Sequence, residues 1–439
     1  MTLERNTPAE ARTPFSVIAK GAAGSAGLKI VNLFFGMLAT AFLGRVLLPQ
    51  QYGFYAFAST VVTLLALPVQ AGLPQLMTRE IAKYHLAAQW GHIRGLLLRA
   101  NQLVGLLGLC VVVALVLLLP LLTRFVPAVD GTTFAWAIVL LPLIALNRVR
   151  GGALLGLRKV ALGLLPDNGI RAVLFLVFIV AWHAFLPFGS ATAMGLQVAA
   201  TLIAFLAGAG LLMYHLPQEV RSSGPAFESK SWFSAIIPLT LTDAVLIFNL
   251  QADLLLLGVL GNATEVGIYR AVTLVATQVT IGLTVANEAL APQVARLHQA
   301  KDQAGLQALL KRVLGWLTLS GVVLTGICIL FGQDILVIVF GKAYAGGATA
   351  LSILACGALI SVAAGTGAVL LNMSGHEKDV LRIFAVSAVA NVAANVVMIP
   401  LLGMTGAALA TVGCQLFTNG LLIYFVQRRL GLRYWSAGF

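Results

Sequence analysis

The chain has 439 residues, of which 59% are hydrophobic and only 10% charged, and its formal net charge is +13. A soluble domain carries charge on roughly 25% of its residues, so this composition excludes an ordinary soluble protein. The basic residues lie in short loops between apolar runs, which argues against the concentrated basic face of a nucleic-acid-binding protein.

Twelve apolar runs follow one another along the chain, and each is long enough to cross a bilayer as a helix. The short alternating segments of a membrane β-barrel are absent. We therefore predict an all-α integral membrane protein with an N-terminal six-helix bundle (1–215), a cytoplasmic linker (216–231) and a C-terminal six-helix bundle (232–439). The predicted spans are 15–43, 54–77, 95–122, 131–157, 164–184, 190–215, 232–260, 264–290, 308–331, 346–372, 380–400 and 403–426.

The basic residues are concentrated on one side of this predicted topology. Most of the 28 Lys and Arg residues fall on the side that carries both termini and the even-to-odd loops. The opposite loops hold only Arg45, Arg124 and Lys342. By the positive-inside rule, both termini are predicted to be cytoplasmic.

The two halves of the sequence resemble each other. Tyr52-Gly53-Phe54-Tyr55 corresponds to Val266-Gly267-Ile268-Tyr269, and Pro74-Gln75 corresponds to Pro292-Gln293. Six helices per half give both copies the same orientation, which is a parallel repeat about an axis along the membrane normal. A duplicated bundle with a cavity between the copies favours a transporter that works by alternating access over a channel.

Four segments carry a resemblance to a known family. They are Leu43-Gly44-Arg45 leading to Gln51-Tyr52-Gly53-Phe54-Tyr55, Gly72 to Ala82 around Arg79, Asp253 to Arg296 around Gly267, and Asn391 to Ala408 around Pro400. Together they resemble the polysaccharide transporter branch, with its Wzx-type O-antigen flippases, of the multidrug/oligosaccharidyl-lipid/polysaccharide exporter superfamily.

That resemblance implies a V-shaped pair of six-helix bundles with helices 1, 2, 7 and 8 around a central cavity. It implies a flippase that moves a polyprenyl-pyrophosphate-linked oligosaccharide, such as an O-antigen or exopolysaccharide repeat unit, from the cytoplasmic to the periplasmic leaflet of a bacterial inner membrane. The drug-extrusion branch also has twelve helices, so cation-coupled multidrug extrusion is the alternative.

Charges inside membrane spans are costly and are therefore candidates for function. Lys29, Arg270 and Arg45 are the candidate substrate-binding cations, because Arg and Lys would offset the desolvation of a pyrophosphate. The structural alternatives are a carboxylate partner such as Asp243 for Lys29, snorkelling to the membrane surface for Arg270, and lipid headgroups for Arg45.

Three acidic residues are the candidates for coupling transport to H⁺ or Na⁺: Asp243 and Asp253 in helix 7, and Glu288 late in helix 8. For Asp253, an ion pair or a helix cap is the structural alternative. No cofactor or metal site is predicted, since the four cysteines lie in apolar runs without ligand spacing.

The sequence has no Walker loop and no paired catalytic groups, so we predict no enzyme activity. A membrane glycosyltransferase or polymerase would carry a larger polar loop, and a mere scaffold would leave the charges within the membrane unexplained. The expected partners are the lipid-linked oligosaccharide and membrane lipids, with a polysaccharide polymerase or glycosyltransferases as further candidates. The protein is expected to be a monomer.

Overall fold

A computed structural model of the protein describes residues 14–300 and 302–432, with side chains from Gly24 onward except residue 26. The described part is almost wholly helical. Four of the basic residues lie outside the described ranges: Arg5, Arg12, Lys301 and Arg433.

The first bundle is built from eight helices that form six membrane spans, because two of the spans are accompanied by shorter helices. A π-helical turn, Leu165–Ile170, joins α6 to α7 within one span. The helices are α1 (Pro14–Val46), α2 (Pro49–Gln70), α3 (Leu73–Leu86), α4 (Trp90–Phe125), α5 (Gly131–Gly156), α6 (Val160–Leu164), α7 (Arg171–His183) and α8 (Ser190–His215).

The connection and the second bundle follow. Single 3₁₀ turns, Thr277–Thr280 and Lys342–Gly347, lie inside two of the spans. The helices are α9 (Gln218–Ser222), α10 (Ser229–Leu260), α11 (Ala263–Ala276), α12 (Ile281–Gln299), α13 (Gln303–Phe340), α14 (Ala348–Ala364), α15 (Gly367–Met373) and α16 (Glu377–Leu430).

Within the described residues, eleven helical segments are long and apolar enough to cross a membrane. The last of them, α16, has 54 residues and a length of about 80 Å, far more than the roughly 30 Å of a bilayer core. Its backbone breaks at Gly403, where φ is 58° and ψ is −135°, three residues after Pro400. The helix is therefore two spans, and the twelve spans in two bundles predicted from the sequence are confirmed.

One predicted span, 54–77, is wrong in its bounds. The helix ends at Gln70, and a new one starts at Leu73, because Ala71 (φ 48°) and Gly72 (φ 62°) both take left-handed backbone conformations. Pro74 then occupies the first turn of α3, where a missing N–H costs nothing. The short helix α3 is amphipathic and leaves the membrane span.

The connection between the bundles is fastened to the first bundle. The Glu228 carboxylate accepts a hydrogen bond from Tyr84 Oη (2.9 Å) and lies 3.3 Å from His92 Nε2, and Trp232 Nε1 donates to Tyr84 Oη (2.9 Å). Arg94 donates to two carbonyl oxygens of the same connection. Burial raises the pKa of Tyr84 to about 12, with the hydrogen bond from Trp232 lowering it and the one to Glu228 raising it further. The Tyr84 hydroxyl therefore keeps its proton at neutral pH.

Candidate functional site

The membrane side that carries this connection is called the linker side below. The opposite side, where α1 ends, α2 begins and α11 begins, is called the far side. The two names give every site residue a position without reference to a compartment.

On the far side the two bundles are in backbone contact. Gly53 of α2 and Gly267 of α11 face each other, and a Cβ atom on Gly53 would overlap the carbonyl of Ala263, while one on Gly267 would overlap the carbonyl of Pro49. Tyr344 Oη also donates to the Leu47 carbonyl (3.2 Å). Glycine alone permits this approach, so the space between the bundles is closed at this side.

Further toward the linker side, one ion pair bridges the bundles. Lys29 Nζ of α1 lies 2.7 Å from Glu288 Oε1 of α12, and both side chains are about half exposed, at 50% and 53%. Lys29 is 17 residues from the end of α1, or about 25 Å from the far side. Among the side chains that the structure describes, this is the one ion pair between the two sets of six spans.

The other two candidate cations also touch the opposite bundle. Arg270 of α11 lies within electrostatic reach of the hydroxyl groups of Tyr52 and Tyr55 on α2. Its side chain is half-buried. Arg45 Nη1 donates to the carbonyl oxygen of Ile338 near the end of α13. Lys29 and Arg45 are 16 residues apart on α1, about 24 Å, so Lys29 does not share a patch with Arg45.

The acidic candidates are likewise separate. Asp243 Oδ1 accepts from Gln75 Nε2 of α3 (2.6 Å) and interacts electrostatically with Arg148 of α5. Asp253 Oδ2 accepts from Tyr269 Oη (3.0 Å) and from Thr411 Oγ1 (2.9 Å), all within the second bundle. Glu288 is the partner of Lys29, the position that the sequence analysis considered for Asp243.

Sequence reasoning missed several residues of this region. Gln75 and Tyr52 lie in motifs that were interpreted through their glycine and proline neighbours, and Arg148, inside α5, was not a candidate site residue. Asp167, in the π-helical turn, accepts from Asn147 Nδ2 (2.8 Å) and lies 3.5 Å from Arg171 Nε. These two charges were recognised in the sequence at the start of predicted helix 5, where a solvated helix end was the expected explanation.

The arrangement has the parts of a transporter. Charged and polar side chains from both bundles lie along the interface between them. The backbones are in contact at the far side, and an exposed ion pair connects the bundles nearer the linker side. In the described part of the chain, no three His, Cys, Asp or Glu side chains lie together as a metal site would require.

Comparison with known proteins agrees with this class. Residues 18–298 match the family described as polysaccharide biosynthesis protein, and the chain belongs to that family. The family named from the sequence motifs is thereby confirmed. No curated protein sequence matches the chain.

Solved structures with the same fold are transporters and flippases. The chain is similar to an inward-facing multidrug resistance MATE family transporter of the MOP superfamily, with a TM-score of 0.77 and 14% identity over 93% of this chain and 98% of that one. It is similar to the lipid II flippase MurJ in an inward closed conformation, with a TM-score of 0.69 and 11% identity over 93% and 87%. An outward-facing MATE family transporter gives a TM-score of 0.62 and 14% identity over 95% and 96%.

Proposed function

We propose that the protein is a flippase that carries a polyprenyl-pyrophosphate-linked oligosaccharide, an O-antigen, lipopolysaccharide or exopolysaccharide repeat unit, across the bacterial inner membrane. Its linker side is cytoplasmic in this proposal, as are both termini, because the basic loops lie there. The membership of the polysaccharide biosynthesis family supports the saccharide, and the fold supports transport by alternating access.

The observation that carries the proposal is the Lys29–Glu288 pair. A lysine inside a membrane span is held by a carboxylate of the other bundle, and the pair is half exposed. A pyrophosphate entering between α1 and α12 would replace Glu288 as the partner of Lys29, and the bundles would then be free to separate there. Arg270 and Arg45 are the further cations that we assign to the path of the anion.

Cation coupling is proposed for the three acidic residues. Glu288, once released from Lys29, becomes an unpaired carboxylate within the membrane and is the candidate that alternates between Lys29 and a bound cation. Asp253 already has two hydroxyl donors and is the candidate for a bound H⁺ or Na⁺ in the second bundle. Asp243 is the candidate at the contact between α3 and α10.

The test is a strain that lacks the gene, with and without the plasmid-borne protein. We expect the deletion to abolish surface polysaccharide and to leave the lipid-linked repeat unit accumulated in the inner membrane, and the plasmid to restore both. The observation behind the multidrug alternative is the structural similarity to a multidrug transporter, with a TM-score of 0.77. It predicts intact surface polysaccharide with increased sensitivity to cationic drugs, and that result would reject the flippase.

A further inference from the structure

The second bundle contains a cavity of about 290 Å³. It lies between α10, α12, α14, α15 and both parts of α16. Its polar lining consists of uncharged side chains, above all Asn249, Asn287, Thr366, Gln415 and Asn419, and its apolar lining includes Leu250, Leu283 and Phe384. We call it the amide pocket.

The amide pocket offers hydrogen-bond acceptors. Asn287 Oδ1, Thr366 Oγ1 and Gln415 Oε1 are enclosed and have no hydrogen-bond partner within the described protein. Asn249 Nδ2 is already committed to the carbonyls of Val245 (2.8 Å) and Phe384 (3.1 Å), which leaves its oxygen for another donor. Enclosed polar atoms without partners are costly, so an occupant that donates hydrogen bonds would be stabilised here.

The chemistry of the lining selects among donors. The lining has no Asp, Glu, Lys, Arg or His side chain, so it provides no charge for an ion. Its volume is near the roughly 300 Å³ at which small-molecule sites begin, far larger than the coordination shell of one cation. Amide oxygens beside leucine and phenylalanine walls match a sugar ring, which presents hydroxyl groups at its edge and C–H groups on its faces.

The position of the pocket fits the proposed substrate. Asn287 directly precedes Glu288 on α12, and Glu288 holds Lys29. In a lipid-linked saccharide the first sugar is bonded directly to the pyrophosphate. A pyrophosphate at Lys29 therefore brings that sugar to the same turn of α12 as Asn287. We propose that the amide pocket is a saccharide subsite that takes one sugar ring of the lipid-linked substrate, an inference that rests on the proposed flippase function.

The test compares binding of four probes to the full-length protein in lipid nanodiscs. They are polyprenyl diphosphate alone and the same lipid carrying one glucose, one galactose or one N-acetylglucosamine. For the unmodified protein, we expect at least one glycosylated probe to bind about tenfold more tightly than the bare diphosphate, the scale of one or two hydrogen bonds. The double variant Asn287→Leu, Gln415→Met should lose that difference and keep its affinity for the bare diphosphate.

The variant removes two side-chain amides whose oxygen atoms have no protein partner, at nearly constant side-chain size, so it should fold. Unchanged affinity for the bare diphosphate checks that it does. The matched control is Gln427→Met, which removes an exposed amide from the same helix outside the pocket and should bind all four probes as the unmodified protein does.

The possible failures are distinguishable. If the bare diphosphate binds and no sugar improves it, or the double variant keeps the improvement, the saccharide subsite is rejected and the flippase stands. If the double variant instead loses only a sodium dependence of transport, the pocket is a cation site and the inference is overturned. If none of the probes binds the unmodified protein, both the subsite and the proposed function fail.

Discussion

Lys29 Nζ of α1 lies 2.7 Å from Glu288 Oε1 of α12, so a charge pair within the membrane joins the first bundle to the second. At the described glycines of α1 and α12, an added Cβ would meet no backbone of the other helix, in contrast to the glycine contact that closes the far side. An ion pair that is half exposed to solvent adds little stability. Its position between the bundles therefore fits a contact that breaks when the bundles separate.

Exchanging the two charges distinguishes a role of Lys29 in substrate binding from a purely structural role of the ion pair. Lys29→Gln should lower transport by roughly tenfold or more, because a charge-assisted hydrogen bond to phosphate is worth about 1.5–3 kcal/mol. The swapped variant Lys29→Glu, Glu288→Lys restores the ion pair but moves the cation to the other bundle, so its transport should stay low. Transport rates in proteoliposomes check this, with Lys342→Gln, an exposed lysine on the far side, as the control. Full activity of the swapped variant would leave the pair with a structural role only.

Arg270 is predicted to act through its guanidinium fork. Arg270→Lys keeps the charge but loses the bidentate geometry that suits phosphate, so we expect a partial loss of substrate affinity and a nearly complete loss in Arg270→Gln. Since Arg270 lies within electrostatic reach of the Tyr52 hydroxyl, Tyr52→Phe is the matched comparison. If Tyr52→Phe weakens binding as much as Arg270→Gln, Arg270 serves to hold α11 against α2 and does not bind substrate.

The sequence predicted the twelve spans because each has to be apolar along its whole length, a local property. It also predicted the last break, since Pro400 and Gly403 stop a helix wherever they stand. The break at Ala71–Gly72 was missed, because the apolar run continues through it and alanine carries no signal for a left-handed conformation.

Partners across the bundle interface could not be predicted in the same way. Lys29 and Glu288 are isolated charges in the sequence, and their pairing depends on how α1 and α12 lie in space. Trp232 illustrates the same limit. It is near a helix end, where an interfacial residue is expected, yet only 3% of it is exposed, because Tyr84 accepts its indole N–H.

Asp130, between α4 and α5, should make stability depend on pH. Desolvation raises the pKa of its carboxyl, but hydrogen bonds from Thr132 and Thr133 outweigh it, so the folded-state pKa lies below the ordinary value. A lowered folded-state pKa stabilises the protein above the unfolded pKa of about 3.9, and the gain is lost as the pH falls below it. Asp130→Ala should cost about 1 kcal/mol at pH 7 as a lost helix cap. Thermal unfolding in detergent should show this gap narrowing below pH 4, and a gap independent of pH would contradict the assignment.

Asp253 is predicted to respond to an imposed cation gradient. Its carboxylate faces two hydroxyl donors inside the second bundle, so replacing it by asparagine keeps the shape and removes the charge. Asp253→Asn should transport at the same rate with and without a proton or sodium gradient, whereas the unmodified protein should be faster with one of them. Asp334→Asn, which alters an exposed acid in α13, is the control. A gradient response that survives in Asp253→Asn would leave Asp243 and Glu288 as the candidates.

The glycine contact between α2 and α11 should determine which side of the protein is closed. Gly53→Ala introduces a Cβ where the Ala263 carbonyl lies, and a backbone carbonyl cannot move aside as the end of a side chain can. The two helices must separate at the far side, so the population should shift toward a conformation open there. Spin labels at the exposed positions Leu48 and Thr264, in a background without the four native cysteines, report the distance directly. We expect a longer distance in Gly53→Ala and no change in Gly105→Ala, whose Cβ meets nothing within 4 Å. Because alternating access requires this side to close again, Gly53→Ala should also slow transport. A longer distance with unchanged transport would mean that closing the far side is not part of the cycle.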